Sequence, residues 1–287
     1  MAVLTKSNYL AGLQCSKLLW ISKNAKDRLP EPDEIQQQKF RDGDKVQEIA
    51  ERLFPEGVDL NPGRQGLSFK ENLEETQKYI NEEERRPIFE AGFLVQFQKQ
   101  SKNYPKNKLF SRADILVPVA GVEGERLWDI IEVKMGTKVK DVNVHDVSFQ
   151  KYVYQAAGLN IRNCYMMHVN NQFRKGEDSE INPEDFIVKT DITEDIKEIE
   201  KHGAEDKEGI GDIESRIEEM FRIIESEEPS CGIGIHCSDP YGCDISDECW
   251  KDVPEGSVFE LYRIKKSKAT ELYNMGFKRI RDVPDDT

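Results

Sequence analysis

The stretch LWDIIEVKMG at residues 127–136 decides the fold. In a β-strand alternate side chains share a face, so Glu132 and Lys134 are predicted to project from the same side of one strand. A second stretch, SRADILVP at residues 111–118, reads as the preceding strand and carries Asp114. Pairing of the two strands would place Asp114 beside Glu132 in an oxygen-rich site suited to Mg²⁺ or Mn²⁺, with Lys134 next to it.

The same acid and lysine spacing also occurs as an ordinary surface ion pair of a sheet, so the surrounding pattern matters. Residues 88–97 alternate apolar and polar side chains, which predicts a half-buried strand with Glu90 on its polar face. Three strands with short turns make an antiparallel meander, and a predicted helix at 146–158 leads to a further strand. Gln150 and Tyr154 share one face of that helix, an arrangement that generic packing also explains.

Charge is distributed unevenly along the 287 residues, whose formal net charge is −14. Residues 175–229 hold 20 acidic against 7 basic side chains, whereas the remainder holds 35 against 34. The acidic segment contains predicted helices at 191–202 and 213–227 and reads as a covering layer. The rest of the chain is therefore compatible with binding nucleic acid, whose phosphates repel acidic proteins.

A lysine-rich hairpin, KQSKNYPKNK at residues 99–108, is the candidate nucleic-acid contact. Its lysines could bind phosphates and its aromatic residue could stack on a base. A solvated turn is the alternative interpretation. The residues concerned are Lys99, Lys102, Tyr104, Lys106 and Lys108.

Composition and targeting signals place the chain among cytoplasmic globular proteins. Hydrophobic residues make up 37% of the sequence, which is enough for a sizeable core. No apolar run approaches the roughly 18 residues of a membrane span, and the first residues lack the apolar core of a signal peptide. We expect no membrane partner and a cytoplasmic location.

Four of the six cysteines, Cys231, Cys237, Cys243 and Cys249, recur at an interval of six residues in a loop rich in Gly, Pro and Asp. This spacing predicts a metal site rather than core packing. Chemistry alone leaves zinc and iron–sulfur open, although five intervening residues suit a bulkier cluster better than the short pairs typical of structural zinc. Cys15 by itself reads as a buried thiol among leucines.

Taken in order, QCSKLLW, EAGF, RADIL, IEVK, QKYVY and the cysteine array resemble the RecB-like PD-(D/E)XK nucleases, in particular the iron–sulfur branch that includes the CRISPR-associated exonucleases. The resemblance spans roughly residues 4–250. It implies an α/β fold with a restriction-endonuclease-like core, a mixed sheet flanked by helices, and an iron–sulfur lobe that joins the two terminal regions. The chain departs from the pattern at Gln47, where many relatives carry a histidine ligand, and at Ser16.

By this resemblance, Asp114 and Glu132 are ligands of Mg or Mn, and Lys134 is the catalytic lysine. Glu90, Gln150 and Tyr154 complete the catalytic site. The resemblance also implies a 4Fe–4S cluster, with zinc as the alternative, and leaves Cys231 as a spare thiol. The implied cluster ligands are Cys15, Cys237, Cys243 and Cys249.

The expected function is metal-dependent hydrolysis of DNA, most of all at single-stranded ends. A nuclease domain is predicted at 1–253 and a small helical-hairpin module at 254–287, which in longer relatives precedes an exonuclease domain that we expect on another chain or segment. Two alternatives stay open: a nuclease-fold module that binds nucleic acid without cleaving it, and a redox-responsive regulator that would need the cluster but not Asp114, Glu132 and Lys134.

Overall fold

A computed structural model of the chain describes residues 1–97, 106–176, 180–201 and 212–284. The chain divides into two compact units. Unit 1 consists of Met1–Tyr9 with Pro32–Phe221, and unit 2 consists of Leu10–Glu31 with Arg222–Thr287. The predicted domains 1–253 and 254–287 stay a prediction, since compactness divides the chain at other residues.

Helices and strands alternate over much of the described chain, which confirms the α/β class. The helices are α1 Lys6–Gln14, α2 Ser16–Asn24, α3 Glu34–Glu51, α4 Pro62–Gln65, α5 Phe69–Asn81, α6 Asp141–Ala156, α7 Pro183–Phe186, α8 Thr193–Lys201, α9 Ile213–Glu225, α10 Ser246–Trp250 and α11 Lys266–Asn274. The strands are β1 Val3–Thr5, β2 Val58–Asp59, β3 Ile88–Gln96, β4 Lys108–Ala120, β5 Arg126–Lys134, β6 Asn160–Val169 and β7 Ile187–Asp191.

Among the described residues, seven strands form one mixed sheet in unit 1, in the order β2-β3-β4-β5-β6-β7, with β1 paired to β4. The predicted antiparallel meander of β3, β4 and β5 is confirmed, and β6 returns parallel to β5. Strand β4 is long enough to pair with two different strands along one of its edges. Its second half pairs with β5, and its first half pairs with β1. The residues after β1 are thereby brought to the end of β5.

Helix α6 begins earlier than the sequence predicted, at Asp141 instead of residue 146. The Asn143 side chain accepts the Lys140 N–H at 3.0 Å, which closes a first turn that hydropathy does not reveal. The acidic segment forms α8 and α9 as predicted, with ends shifted by a few residues. The apolar side chains that recur at helical spacing on α9 are all buried: Ile213, Ile217, Met220, Phe221 and Ile224.

Residues 88–93 of strand β3 are buried on both faces, so the prediction of a half-buried strand is wrong for this part of it. Helix α5 covers it with polar side chains. Asn72 donates to the Glu90 carbonyl at 2.9 Å, and the Gly92 N–H donates to the Thr76 hydroxyl at 3.1 Å. A Cβ on Gly92 would lie 2.1 Å from the Asn72 amide oxygen, so only glycine permits this approach.

The core of unit 1 contains an apolar cluster between α3 and the sheet. Val46 and Ala50 of α3 pack with residues from five strands. The helical spacing of Val46, Ile49, Ala50 and Leu53 in the sequence already indicates this amphipathic helix. The other buried members of this cluster are Phe89, Ile115, Ile131, Val133, Met167 and Ile187.

No helix in the described part of the chain is both long and apolar enough to span a membrane.

Tyr154 of α6 bridges β3 and β4. Its hydroxyl accepts the Ala113 N–H at 2.7 Å and donates to the Ala91 carbonyl, and the side chain is fully buried. Ala91 and Ala113 are a cross-strand pair, so the phenol satisfies backbone groups of both strands. Tyr154 therefore fixes the two strands at the residues next to Glu90 and Asp114.

We predict that Tyr154→Phe lowers the free energy of unfolding by about 1–3 kcal/mol, because a buried backbone N–H and carbonyl lose their partner. Tyr152→Phe is the matched control on the same helix, since the Tyr152 hydroxyl makes an exposed hydrogen bond to Glu214 at 3.1 Å. Urea denaturation and hydrogen exchange of the Ala113 amide measure both effects. Equal costs for the two variants would contradict the bridging role.

Candidate functional site

Three carboxylates stand in one row across β3, β4 and β5. Glu90 lies between the paired residues Phe89–Ile115 and Ala91–Ala113, so it is opposite Asp114. Asp114 and Glu132 flank the paired residues Ile115 and Ile131, so they are opposite each other on β4 and β5. The predicted neighbourhood of Asp114 and Glu132 is therefore what the strand register produces.

Glu132 is fully buried and is contacted by three polar side chains. Lys6 Nζ donates to its Oε1 at 2.8 Å, and Lys134 Nζ contacts the same oxygen. Gln150 Nε2 donates to Oε2 at 2.7 Å. The predicted association of Glu132, Lys134 and Gln150 is thus present, and Lys6 joins it without having been predicted.

Asp146 is a second buried carboxylate that sequence reasoning missed. Lys134 Nζ lies 3.1 Å from its Oδ2, Lys6 Nζ lies 3.6 Å from its Oδ1, and Gln150 Nε2 donates to Oδ1 at 3.1 Å. Asp146 and Gln150 are four residues apart on α6, which is a signal that could have found it. Lys6 offers no such signal, because 126 residues separate it from Glu132.

Glu90 has a positive φ of 57°, a conformation that non-glycine residues rarely adopt outside special sites. Gln47 Nε2 of α3 donates to its Oε1 at 2.8 Å, and Arg112 Nε lies 2.5 Å from its Oε2. Gln47 therefore occupies the place next to this carboxylate where the resemblance expects a histidine. An amide nitrogen that donates to Glu90 cannot at the same time bind a metal ion.

Asp114 accepts the Val133 N–H at 2.7 Å through Oδ2. Burial raises the pKa of its carboxyl to about 8, and the charge of Glu132 acts in the same direction. Burial would raise the pKa of Glu132 as well, but the ammonium groups of Lys134 and Lys6 outweigh it and lower that pKa to about 2. In the absence of a metal ion, Asp114 is therefore protonated at neutral pH while Glu132 is charged.

Both lysines stay charged. Burial favours the neutral amine of Lys134, but the carboxylates of Glu132 and Asp146 raise its pKa well above the usual value. Burial also favours the neutral amine of Lys6, but the nearby carboxylates, Asp146 most strongly, raise its pKa above the usual value. A buried carboxylate without these cations would be strongly unfavourable, so the charges stabilise one another.

Asp114 and Glu90 line part of an open pocket. Its lining mixes positive, negative and hydroxyl groups: Thr5, Lys6, Ser7, Glu90, Phe110, Ser111, Arg112 and Asp114. Among the described residues, the buried oxygens Ser111 Oγ and Gln150 Oε1 have no hydrogen-bond partner. Carboxylate oxygens together with unsatisfied neutral oxygens are the donors that Mg²⁺ and Mn²⁺ prefer, so the residues present fit such an ion.

The predicted lysine hairpin lies mostly outside the described residues, since Lys99, Lys102 and Tyr104 fall in the segment 98–105. Lys106 is exposed, and Lys108 begins β4, half-buried. Their role in binding nucleic acid stays a prediction.

A second candidate site lies in unit 2, where five thiols surround one apolar cluster. Cys15 and Cys243 are buried with Leu18, Ile21 and Ile245, and Cys231, Cys237 and Cys249 pack against them. The sixth cysteine, Cys164, is buried in β6 of unit 1. The four predicted cluster ligands are therefore in one neighbourhood, and their choice as the ligand set stays a prediction.

Cys231 is closer to this group than the sequence suggested. Its Sγ, the Cys15 Sγ and a ring nitrogen of His236 all lie within 4.8 Å of one another. The hydrogen bond with Cys231 lowers the pKa of the Cys15 thiol, assisted by backbone N–H groups at the start of α2. Burial raises the pKa of Cys243 to about 11. The ligand set implied by the sequence resemblance leaves out Cys231 and His236, yet both lie beside Cys15.

No family model and no curated protein matches this chain. Among solved structures it is similar to one described as "Crystal structure of SSO0001", at a TM-score of 0.41 and 11% identity over 88% of this chain and 87% of that chain. A likeness at this level supports no statement about fold or function.

The raised pKa of Asp114 predicts a pH-dependent stability in the metal-free protein. Asp114 binds a proton in the folded state up to about pH 8, whereas an unfolded aspartate loses it near about pH 4. The stability contributed by the protonated group is therefore present below about pH 4 and is lost as the pH rises to about 8. Each pKa unit corresponds to about 1.4 kcal/mol.

We expect Asp114→Asn, which keeps the acceptor for the Val133 N–H, to escape this loss. In EDTA, the free energy of unfolding of the variant relative to the parent should rise from pH 5 to pH 8. Urea denaturation at a series of pH values measures it. Asp141→Asn, an exposed position in the first turn of α6, is the control. A pH-independent difference would mean that Asp114 ionises normally.

Proposed function

We propose that this chain is a Mg²⁺- or Mn²⁺-dependent deoxyribonuclease whose site lies at Asp114, Glu132 and Lys134. The observation that carries the proposal is the row of Glu90, Asp114 and Glu132 on three adjacent strands, with a lysine on the last carboxylate. A rigid sheet that holds several acids and a cation at one point suits phosphodiester hydrolysis, which needs positioned charge more than covalent chemistry.

Asp114 and Glu132 would hold the metal ion, which when bound supplies a water of lowered pKa and polarises the phosphoryl oxygen. Lys134 and Lys6 place two ammonium groups beside these carboxylates, where negative charge develops on the phosphoryl group. Gln150 fixes the orientation of Glu132 through Oε2. Tyr154 acts as a positioning residue, because its hydroxyl is taken by backbone groups of β3 and β4.

The pocket supplies donors for a nucleic-acid backbone. Thr5, Ser7 and Arg112 line it beside Lys6, and hydroxyl and guanidinium groups are common phosphate contacts in DNA complexes. The preference for single-stranded ends and the expectation of a further exonuclease domain or partner rest on the resemblance of the sequence motifs alone.

A second candidate, binding of nucleic acid without cleavage, has an observation in its favour. Two lysines and Gln150 already satisfy Glu132, and Gln47 donates to Glu90 in the place expected for a histidine ligand. A metal ion must compete with these contacts, which would weaken its binding.

The test is cleavage of end-labelled single- and double-stranded DNA by the full chain with Mg²⁺ or Mn²⁺. We expect Asp114→Asn and Lys134→Met each to reduce the rate by about 10²- to 10³-fold, the cost of removing one stabilising group from such a site. Asp141→Asn and Lys138→Met, both exposed positions near the site in sequence, are the matched controls.

Parent-like rates in both site variants would show that cleavage happens elsewhere. A parent chain that binds DNA with a salt-dependent affinity but never cuts it would favour the second candidate. A parent chain that neither binds nor cleaves DNA would refute both candidate functions.

Lys6 provides an independent test of metal binding at Glu132. In EDTA, Lys6→Met should cost about 1.5–3 kcal/mol of stability, since it removes one of the two ammonium groups that contact the buried carboxylates. A divalent ion bound to Glu132 replaces that charge, so Mn²⁺ should narrow the difference between variant and parent. Thermal unfolding with and without Mn²⁺ measures it, with the exposed Lys39→Met as control. An unchanged difference would mean that Glu132 does not bind the ion.

A further inference from the structure

Among the cysteines of unit 2, one makes a short side-chain contact with a histidine ring. Cys231 Sγ and His236 Nε2 are 3.6 Å apart. The Cys15 Sγ lies within 4.8 Å of both. Thiolates and imidazoles in this combination are the common ligands of structural zinc.

The contact distance fits ligands of one metal ion. Zinc binds sulfur at about 2.3 Å and imidazole nitrogen at about 2.1 Å, and a tetrahedral angle between those bonds separates the two ligand atoms by about 3.6 Å. Two sulfurs on the same ion are about 3.8 Å apart by the same geometry. The Cys231 and His236 ligand atoms already lie at the separation that a single tetrahedral ion requires, and the Cys15 Sγ needs a shift of about 1.2 Å at most.

An iron–sulfur cluster held by four thiolates uses these residues differently. Each thiolate of a 4Fe–4S cluster binds its own iron and points away from the others, and no imidazole is needed. The ligand set implied by the sequence resemblance omits both Cys231 and His236. Their 3.6 Å contact, which without a metal is a thiol–imidazole hydrogen bond, has no part in that set, whereas a mononuclear site uses both residues as ligands.

Protein contacts hold the three ligands together within unit 2. Gln14, next to Cys15, donates its side-chain N–H groups to the carbonyls of His236 at 2.8 Å and of Tyr241 at 2.9 Å. Cys15 occupies the N-cap position of α2, so its Cα is fixed at the start of a helix.

Ion pairs fix the segment that leads to Cys231. Arg28 forms a bidentate pair with Glu228, with distances of 2.7 and 2.9 Å, and also contacts Glu248. Lys17 lies 3.4 Å from Glu228 and 2.7 Å from Glu248. Trp20 donates to the Ser226 carbonyl at 2.9 Å. These contacts connect α2 and the following turn to the residues just before Cys231.

We propose that Cys15, Cys231 and His236 bind a single zinc ion, with one of the thiols of Cys237, Cys243 and Cys249 as the fourth ligand. Four protein ligands make this a closed, structural site with no place for substrate. The ion links two segments of unit 2 that are more than two hundred residues apart in sequence, so it removes much conformational freedom from the unfolded chain. The proposal uses none of the residues of the proposed nuclease site.

The test begins with the full chain, purified without oxygen from cells supplied with both iron and zinc. Metal and sulfide analysis should give about one zinc per chain and no acid-labile sulfide. Metal-free protein should take up zinc, and X-ray absorption at the zinc edge should show sulfur at about 2.3 Å together with an imidazole.

Single substitutions then separate the two ligand sets. Cys231→Ser and His236→Gln should each lower zinc affinity by more than about 100-fold, beyond the 10- to 100-fold typical of residues around a metal site. Cys164→Ala, a buried thiol of unit 1, is the matched control and should keep the ion. Because a variant can fail to fold, the absorption spectrum of the parent decides independently of the variants.

The opposite result is equally clear. Iron with acid-labile sulfide in the parent, kept in Cys231→Ser and His236→Gln, would overturn the proposal in favour of the cluster set. Zinc that survives both substitutions, a disulfide between Cys15 and Cys231 under reducing conditions, or a failure to take up zinc would each overturn it as well.

Discussion

The fully buried carboxylate of Glu132 is the constraint on which the arrangement of unit 1 depends. A charged group without exposure is tolerated only when cations and hydrogen bonds surround it. Lys134 comes from the same strand, Gln150 comes from α6, and Lys6 begins α1 directly after β1. The requirement to neutralise one side chain thereby draws three elements to a single point. The pairing of β1 with the first half of β4 is what brings Lys6 there.

The same neutralisation bears on function. A site that binds a divalent ion needs several carboxylates close together, and such a group is unstable until a cation arrives. In this protein the two lysines and a proton on Asp114 balance the charge in the absence of the ion. Metal binding would then displace protons or lysine contacts, so the affinity for the ion is expected to rise with pH. If displacing these protons and lysine contacts costs little free energy, the metal ion binds and the site is active. If it costs much, the protein binds nucleic acid without cleaving it.

Unit 2 follows a different principle. It has a small apolar cluster around Cys15, Cys243 and Ile245. Gln14 adds hydrogen bonds, and Lys17 and Arg28 add ion pairs. Units with so little apolar core commonly gain stability from a bound metal. The five thiols and His236 give this unit more potential ligands than one tetrahedral ion needs, so contact distances, not the number of cysteines, select among them.

The sequence by itself determined the α/β class, the meander of β3 to β5, the apolar stripe of α9 and the pairing of Asp114 with Glu132. These features depend on the alternation of side chains along a strand or helix, which is local. Tertiary structure alone decided that α5 buries Asn72 and Thr76, that Lys6 and Asp146 join Glu132, and that Cys231 meets His236. Hydropathy assigns polar side chains to the surface, and no local period connects residues more than a hundred positions apart. Such contacts arise only when the sheet register and the neutralisation of buried charge act on the whole chain.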